Sequence, residues 1–429
     1  MFVIRYWILI SSLILFFDAS AQNTNCVQWQ RECLPYDFPN VSPHQATLAG
    51  FSIVSGDSGE KIYIGDSKLR PEGYLGSPTY SYQLYQQPHA APLIFVNAGL
   101  GGENSGGAVQ FLAEKLHDRG FHVVTLSSTF TAEFANLVAR HPFVGQARWD
   151  AVDLYKIMTA IKEQLTLNLQ IPVTGWGLTG FSWGGLTSAH LLKIDQVERE
   201  FSFFKTVLIN PPIDLKYATR VVDELYTPTD LPFPLSIRFL DVTGEILPLS
   251  LYYASASPET ADFMGLINDM GRSDEDLKFF AGQIFHKALR DVMMNSQVVH
   301  PLGFFSGTSA SWDRQASHYS FEDWVNVFFR AFYEDSLKGR QIWTQHYGTP
   351  HFEIEAFSYQ NSLLSLGALL KNEESLVILH NEDDYITSEA SLKKIKATMG
   401  DRLVLFPRGG HVGNLWHPTF LKIYLSQWD

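Results

Sequence analysis

Apolar and polar positions along the chain change their rhythm twice, and the changes divide it. After Gly50 come short β-rich runs, Phe51 to Val54, Lys61 to Ile64 and Tyr80 to Tyr85, separated by turn residues such as Gly56-Asp57-Ser58-Gly59. They predict antiparallel strands leading into a sheet. Leu93-Ile94-Phe95-Val96 is then apolar at every position, the pattern of a strand buried on both faces. A glycine-rich loop follows it, then a helical segment with Phe111, Leu112 and Leu116 on one face, ending near Gly120. Phe121 to Leu126 reads as a strand, Ala147 to Leu165 as a helix with Ala151, Leu154, Met158 and Ile161 in register, and Lys205 to Asn210 as another buried strand stopped by Pro211-Pro212. Strand and helix alternate at intervals that predict an α/β core, a mostly parallel sheet with helices on both faces.

Between residues 213 and 370 the alternation stops. Ser273 and Ser320 have the look of helix caps, the first ahead of Leu277, Phe280, Ala281 and Ile284, the second ahead of Phe321, Trp324, Phe328 and Phe332. Twelve aromatics fall in 301–350, enough to fill a small core of their own and leave a few to line a pocket. A largely helical insertion at this place reads as a cap over one edge of the sheet. From residue 371 the alternation returns: Ser375 to His380 as a strand, Ser388 to Met399 as a helix, Arg402 to Phe406 as the last strand, and a closing helix from Pro418. The expected divisions are a leader at 1–21, an irregular arm at 22–49, core at 50–212, cap at 213–370 and core again at 371–429.

Composition narrows the partners. The chain has 429 residues, 45% hydrophobic and 18% charged, with a net charge of −13. An acidic surface of this kind argues against nucleic acid and anionic membranes. Arg5, the apolar run from Tyr6 to Phe17 and Ala19-Ser20-Ala21 together have the form of a secretory signal peptide cleaved after Ala21. The run is short for a bilayer span, so an exported mature chain without a membrane segment is expected, with a form tethered through Tyr6 to Phe17 as the alternative. The two cysteines, Cys26 and Cys33, are seven apart and in an exported chain predict one local disulfide.

The chemistry is concentrated in Gly180-Phe181-Ser182-Trp183-Gly184. This G-x-S-x-G follows an apolar run and leads into a helical segment. A serine on a sharp strand-to-helix turn needs small residues two positions to either side, and the helix behind it presents free N–H groups toward developing negative charge. A serine hydroxyl also needs a base, and the base an acid. Asp384 stands four residues beyond the strand ending at His380, and His411 five beyond the strand ending at Phe406. Asp383 and Asp214 compete for the acid, and His417 for the base. His190, on the helix behind the elbow, reads as a packed residue.

With the order serine, acid, histidine, the chain resembles the α/β-hydrolase superfamily over roughly residues 85–215 and 370–429. The resemblance implies Ser182 as nucleophile, Asp384 as acid and His411 as base. It also implies an oxyanion hole from the N–H of Trp183 and one N–H of the loop Asn97 to Gly102, that of Leu100. Two positions depart from the family pattern: Asn381 stands where the acid loop usually has glycine, and Ala98 where histidine often precedes glycine.

Other chemistries fit poorly. The Gly99 to Gly107 loop lacks the lysine of a phosphate cradle and carries Glu103, so no nucleotide is expected, and no H-E-x-x-H or similar cluster points to a metal. No cofactor is expected. The expected function is that of an exported serine hydrolase, most simply an esterase acting on a small or lipid-like acyl substrate. An amidase or peptidase on the same residues is one alternative, and a binding protein that kept the fold is another.

Overall fold

The computed structural model describes residues 26–53, 55, 56, 58–64, 79–140, 143–226, 273–299 and 303–429. The expected leader and part of the insertion, 227–272, lie outside them.

Among the described residues there are ten strands: β1 (Cys26–Trp29), β2 (Glu32–Pro35), β3 (Glu60–Ile64), β4 (Tyr80–Tyr85), β5 (Ala91–Asn97), β6 (His122–Leu126), β7 (Val173–Phe181), β8 (Lys205–Ile209), β9 (Leu376–Asn381) and β10 (Leu403–Phe406). Eight form one sheet in the order β10-β9-β8-β7-β5-β6-β4-β3. In it β4 pairs antiparallel with both β3 and β6, while β6, β5, β7, β8, β9 and β10 pair in parallel with one another. Helices cover both faces, as expected of a doubly wound sheet.

The unbroken apolar run in β5 is explained by this sandwiching. Leu93 and Phe95 join one hydrophobic layer with Leu154 and Met158 of the helix Ala147–Glu163 and Leu186 of the helix Trp183–Glu198. Ile94 and Val96 point to the other layer, with Phe111 and Leu112 of the helix Gly107–Asp118 and Phe420 and Ile423 of the helix Pro418–Leu425. Successive side chains leave a strand on opposite faces, so a strand between two helical layers has no polar face to display.

Three expectations need correction. Phe51 begins no strand: it ends the helix Pro43–Phe51, whose N-cap Ser42 accepts the N–H of Gln45 at 3.2 Å. Leu48, Ala49 and Gly50 are all buried in this helix, so it lacks the polar face that betrays a surface helix. The arm is also not irregular, because β1 and β2 form an antiparallel hairpin closed by the Cys26–Cys33 disulfide, with Cα atoms 5.4 Å apart. In the insertion, Ser273 caps the helix Asp274–Val299 through the N–H of Asp276, but Ile284 is 43% exposed. The buried stripe follows Leu277, Ala281, Phe285, Ala288 and Val292, and at 3.6 residues per turn it passes beside Ile284. Ser320 and Asp323 do form a reciprocal capping box.

Candidate active site

Strand β7 ends directly in the elbow. Ser182 has φ 54° and ψ −126°, a conformation rarely adopted by a residue with a side chain. Its N–H donates to the carbonyl of Ile209 on β8 at 2.8 Å, which ties the turn to the sheet. The tightness of the turn dictates the flanking glycines. A Cβ on Gly180 would lie 2.5 Å from the carbonyl oxygen of Gly184, and one on Gly184 would collide with the carbonyl oxygens of Asn97 and Ala98. The helix Trp183–Glu198 starts at the next residue and aims its N-terminus at the serine side chain.

His411 reaches this hydroxyl from the loop after β10. Its Nε2 is 2.8 Å from Ser182 Oγ, and its Nδ1 is 2.9 Å from Asp384 Oδ2. A carboxylate can only accept, so the ring proton belongs on Nδ1, which leaves Nε2 free to accept from the serine. His411 is fully buried, and Ser182 is 6% exposed.

Asp384 is held on several sides. Asn210 Nδ2 donates to Oδ2 at 2.8 Å, Ile386 N–H donates to Oδ1 at 3.1 Å, and His380 Nε2 stands 3.9 Å from Oδ2. Burial alone would raise this carboxyl, but the neighbouring His411 ring, supported by His380 and Asn210, outweighs it and holds the group below the usual carboxylate range. Burial in turn pushes His380 down.

The competing residues have other roles. Asp383 accepts the N–H groups of Gly409 at 3.2 Å and Gly410 at 2.8 Å, gripping the loop that carries His411. Asp214 caps the helix Leu215–Leu225 by accepting from Tyr217 N–H. His417 faces Asp37 at 3.0 Å. His190 is buried and pushed down to about 3 by that burial, as a packed histidine would be. Asn381 uses its side chain where glycine has none, donating to the Gly410 carbonyl at 2.9 Å and to Asn414 Oδ1 at 3.0 Å.

The arrangement of sheet, elbow and strand-end side chains decides the architecture. The chain has the α/β-hydrolase fold. Trp183 and Leu100, the residues expected to supply oxyanion donors, line the same cavity as the serine. The N–H of Trp183 opens the helix, and neither it nor the N–H of Leu100 meets an acceptor among the described residues. Leu100, Ser182 and Trp183 line one cavity, and a Cβ on Gly99 would stand 3.3 Å from the Cβ of Ser182. Trp183 is fixed by its indole N–H, which donates to Thr129 Oγ1 at 2.8 Å.

That cavity is apolar. Phe130, Phe285, Phe321 and Trp324 line it, together with Ala218 and Val222 of the helix Leu215–Leu225. Trp324 is locked by donating its indole N–H to the carbonyl of Val144 at 3.0 Å. Among the described residues no cluster of histidine, cysteine and carboxylate side chains could hold a metal ion, and no helix is long and apolar enough to cross a membrane. Asn210, in contact with the acid, and Thr47, in contact with the histidine loop, escaped the sequence reading, while Asn381 was visible there as a departure from the glycine of the family pattern. Asn210 left a trace as a polar residue closing a buried strand ahead of Pro211-Pro212.

No family model and no curated protein matches the sequence. Solved structures do align with it. A probable hydrolytic enzyme from Pseudomonas aeruginosa is similar at 14% identity over 88% of this chain and 99% of its own, with a TM-score of 0.41. An esterase from Pyrobaculum calidifontis aligns at 14% identity over 90% of this chain and 87% of its own, TM-score 0.39. An acylaminoacyl peptidase from Pyrococcus horikoshii aligns at 12% identity over 86% of this chain, which spans 41% of that protein, TM-score 0.41. At such scores the fold rests on strand order and the site on its own distances.

Proposed function

We propose that the protein is a serine hydrolase that cleaves carboxylic esters with an uncharged, apolar acyl group. The observation that supports this most directly is the continuous hydrogen-bonded path from Ser182 Oγ through the His411 ring to Asp384, with 2.8 Å and 2.9 Å steps.

His411 Nε2 takes the hydroxyl proton as Ser182 Oγ attacks the acyl carbon. The resulting oxyanion sits against the N–H groups of Trp183 and Leu100, and Asp384 stabilises the imidazolium. The imidazolium then protonates the departing alkoxide, leaving an acyl group on Ser182. A water deprotonated by His411 attacks this ester, and collapse of the second tetrahedral species returns the serine hydroxyl. Esters fit best because an alkoxide leaves more readily than an amine. The apolar cavity beside Ser182 supplies the acyl site, since burying a hydrocarbon chain there gains about 0.8 kcal/mol per CH₂. The same reading has the mature chain exported, its leader removed.

A fluorophosphonate probe and a series of chromogenic esters of increasing acyl length test this. Labelling and turnover that vanish in Ser182→Ala are expected, with longer acyl groups preferred to acetyl. Absence of labelling in folded wild-type protein would turn the reading toward a binding protein, and turnover of amides alone would replace ester with amide.

A further inference from the structure

The segment ahead of the core reaches the catalytic loop. We propose that Thr47, in the helix Pro43–Phe51, is a positioning residue that sets the approach of the His411 imidazole to Ser182. The proposal rests on the hydrolase reading above and extends it to a part of the chain that carries no reacting group.

Thr47 is fully buried. Its hydroxyl donates to the carbonyl of Pro43 at 2.8 Å, so the oxygen is left to accept. It accepts the backbone N–H of His411 at 2.8 Å. The residue that carries the base is thereby tied by its own amide to a helix far away in sequence.

The loop needs such a tie. Gly410 has φ 57°, and Val412, a β-branched residue, has φ 65°. A β-branched side chain disfavours that region, so the surrounding structure must impose it. Asp383 and Asn381 hold the loop from the strand ends, through the amides of Gly409 and Gly410 and the carbonyl of Gly410. The helix Pro43–Phe51 holds it from the opposite side. A Cβ on Gly413 would collide with the carbonyl of Ala46, and one on Gly50 would lie 2.6 Å from the carbonyl oxygen of Val412. Backbone therefore meets backbone just beyond His411, with the Thr47 bond at His411 itself. A second contact follows the same line: the His44 ring stacks on Tyr385 at 4.5 Å, and Tyr385 lies edge-on to His411 at 6.4 Å.

The consequence is geometric. The imidazole must meet Ser182 and Asp384 at once, and a displacement of about 1 Å in such an arrangement can cost roughly a hundredfold in rate. Removing the Thr47 acceptor frees the His411 amide to seek another partner and lets the ring drift.

Thr47→Val keeps the shape and removes the acceptor, while Thr47→Ser keeps the hydroxyl and trims a methyl. Steady-state kinetics on a chromogenic ester should show kcat of Thr47→Val down about tenfold, with KM within about twofold and Thr47→Ser close to wild type. Hydrogen exchange of the amides in 409–413 should quicken in Thr47→Val and not in Thr47→Ser. Thr47→Ala replaces Thr47→Val if that variant does not fold. Unchanged kcat in the variant lacking the hydroxyl, or a loss that Thr47→Ser shares equally, overturns the proposal. Unchanged exchange at 409–413 overturns it too. A wild type that neither turns over esters nor takes up the fluorophosphonate defeats the hydrolase reading instead, and exchange in the same samples still decides whether Thr47 holds the loop.

Discussion

Asn210 donates its side-chain amide to the same oxygen of Asp384 that His411 approaches, at 2.8 Å against 2.9 Å. The amide stands at the end of β8, and its own N–H bonds to the carbonyl of Leu379 on β9 at 2.9 Å, so the acid is oriented by the strand pairing itself. Hydrogen bonds to charged groups contribute about 1.5–3 kcal/mol. Asn210→Ala should therefore lower kcat about tenfold or more while leaving KM nearly unchanged, as read by steady-state kinetics beside a thermal melt.

Asp384→Asn tests the acid more severely. An amide can donate to Nδ1 and stabilise the wrong ring tautomer, leaving no lone pair on Nε2 for the serine. A fall in kcat of roughly a thousandfold or more is expected, with the fold intact by circular dichroism. Asp383→Asn in the same assay should cost far less, because Asp383 touches loop amides and not the ring.

Asp383 also predicts a pH dependence of stability. Burial, only partly offset by the amides of Gly410 and Gly409, raises its carboxyl from the ordinary 3.8 to about 6. A group with a higher affinity for protons in the folded state stabilises that state fully below its unfolded value, and the contribution disappears as pH rises through the folded one. Between pH 3.8 and about 6, wild type should thus lose stability relative to Asp383→Asn as pH rises, and the difference should level off above that window. Melting temperatures of both proteins across this range give the result directly. A parallel pair of curves would remove Asp383 as the titrating group.

The apolar cavity beside Ser182 makes a prediction about acyl chain length. Ala218 and Val222 line it together with Trp324 and Phe321. Ala218→Trp should fill part of it and reduce kcat/KM for an octanoyl ester about tenfold or more, with an acetyl ester within about twofold of wild type. Equal losses on both esters would place the acyl group elsewhere.

Much of this site was legible in the sequence because its chemistry is confined to strand ends. A run such as Lys205 to Ile209, buried on both faces, announces itself, and Asp384 and His411 follow such runs. The choice between Asp383 and Asp384 was not legible. The two are adjacent and chemically identical, and only the backbone direction after Asn381 sends one to the imidazole and the other to the loop amides. The helix Pro43–Phe51 was hidden for a different reason. It is squeezed between the histidine loop and the insertion, with Ala46, Thr47, Ala49 and Gly50 all buried, so small residues replace the apolar stripe that a helix on open surface would show. The cap aromatics could be counted, but which of them face the cavity depends on how the helices roll against each other.

The serine and its base stand 229 positions apart, and parallel pairing of β8 with β9 joins the two stretches of sheet that bring them together. Local helices can form early in refolding, whereas a contact of such separation must wait for a large loop to close. Catalytic power should accordingly return late, after most helical signal is recovered. Recovery of ester turnover would thus time the closure of the chain around β8 and β9.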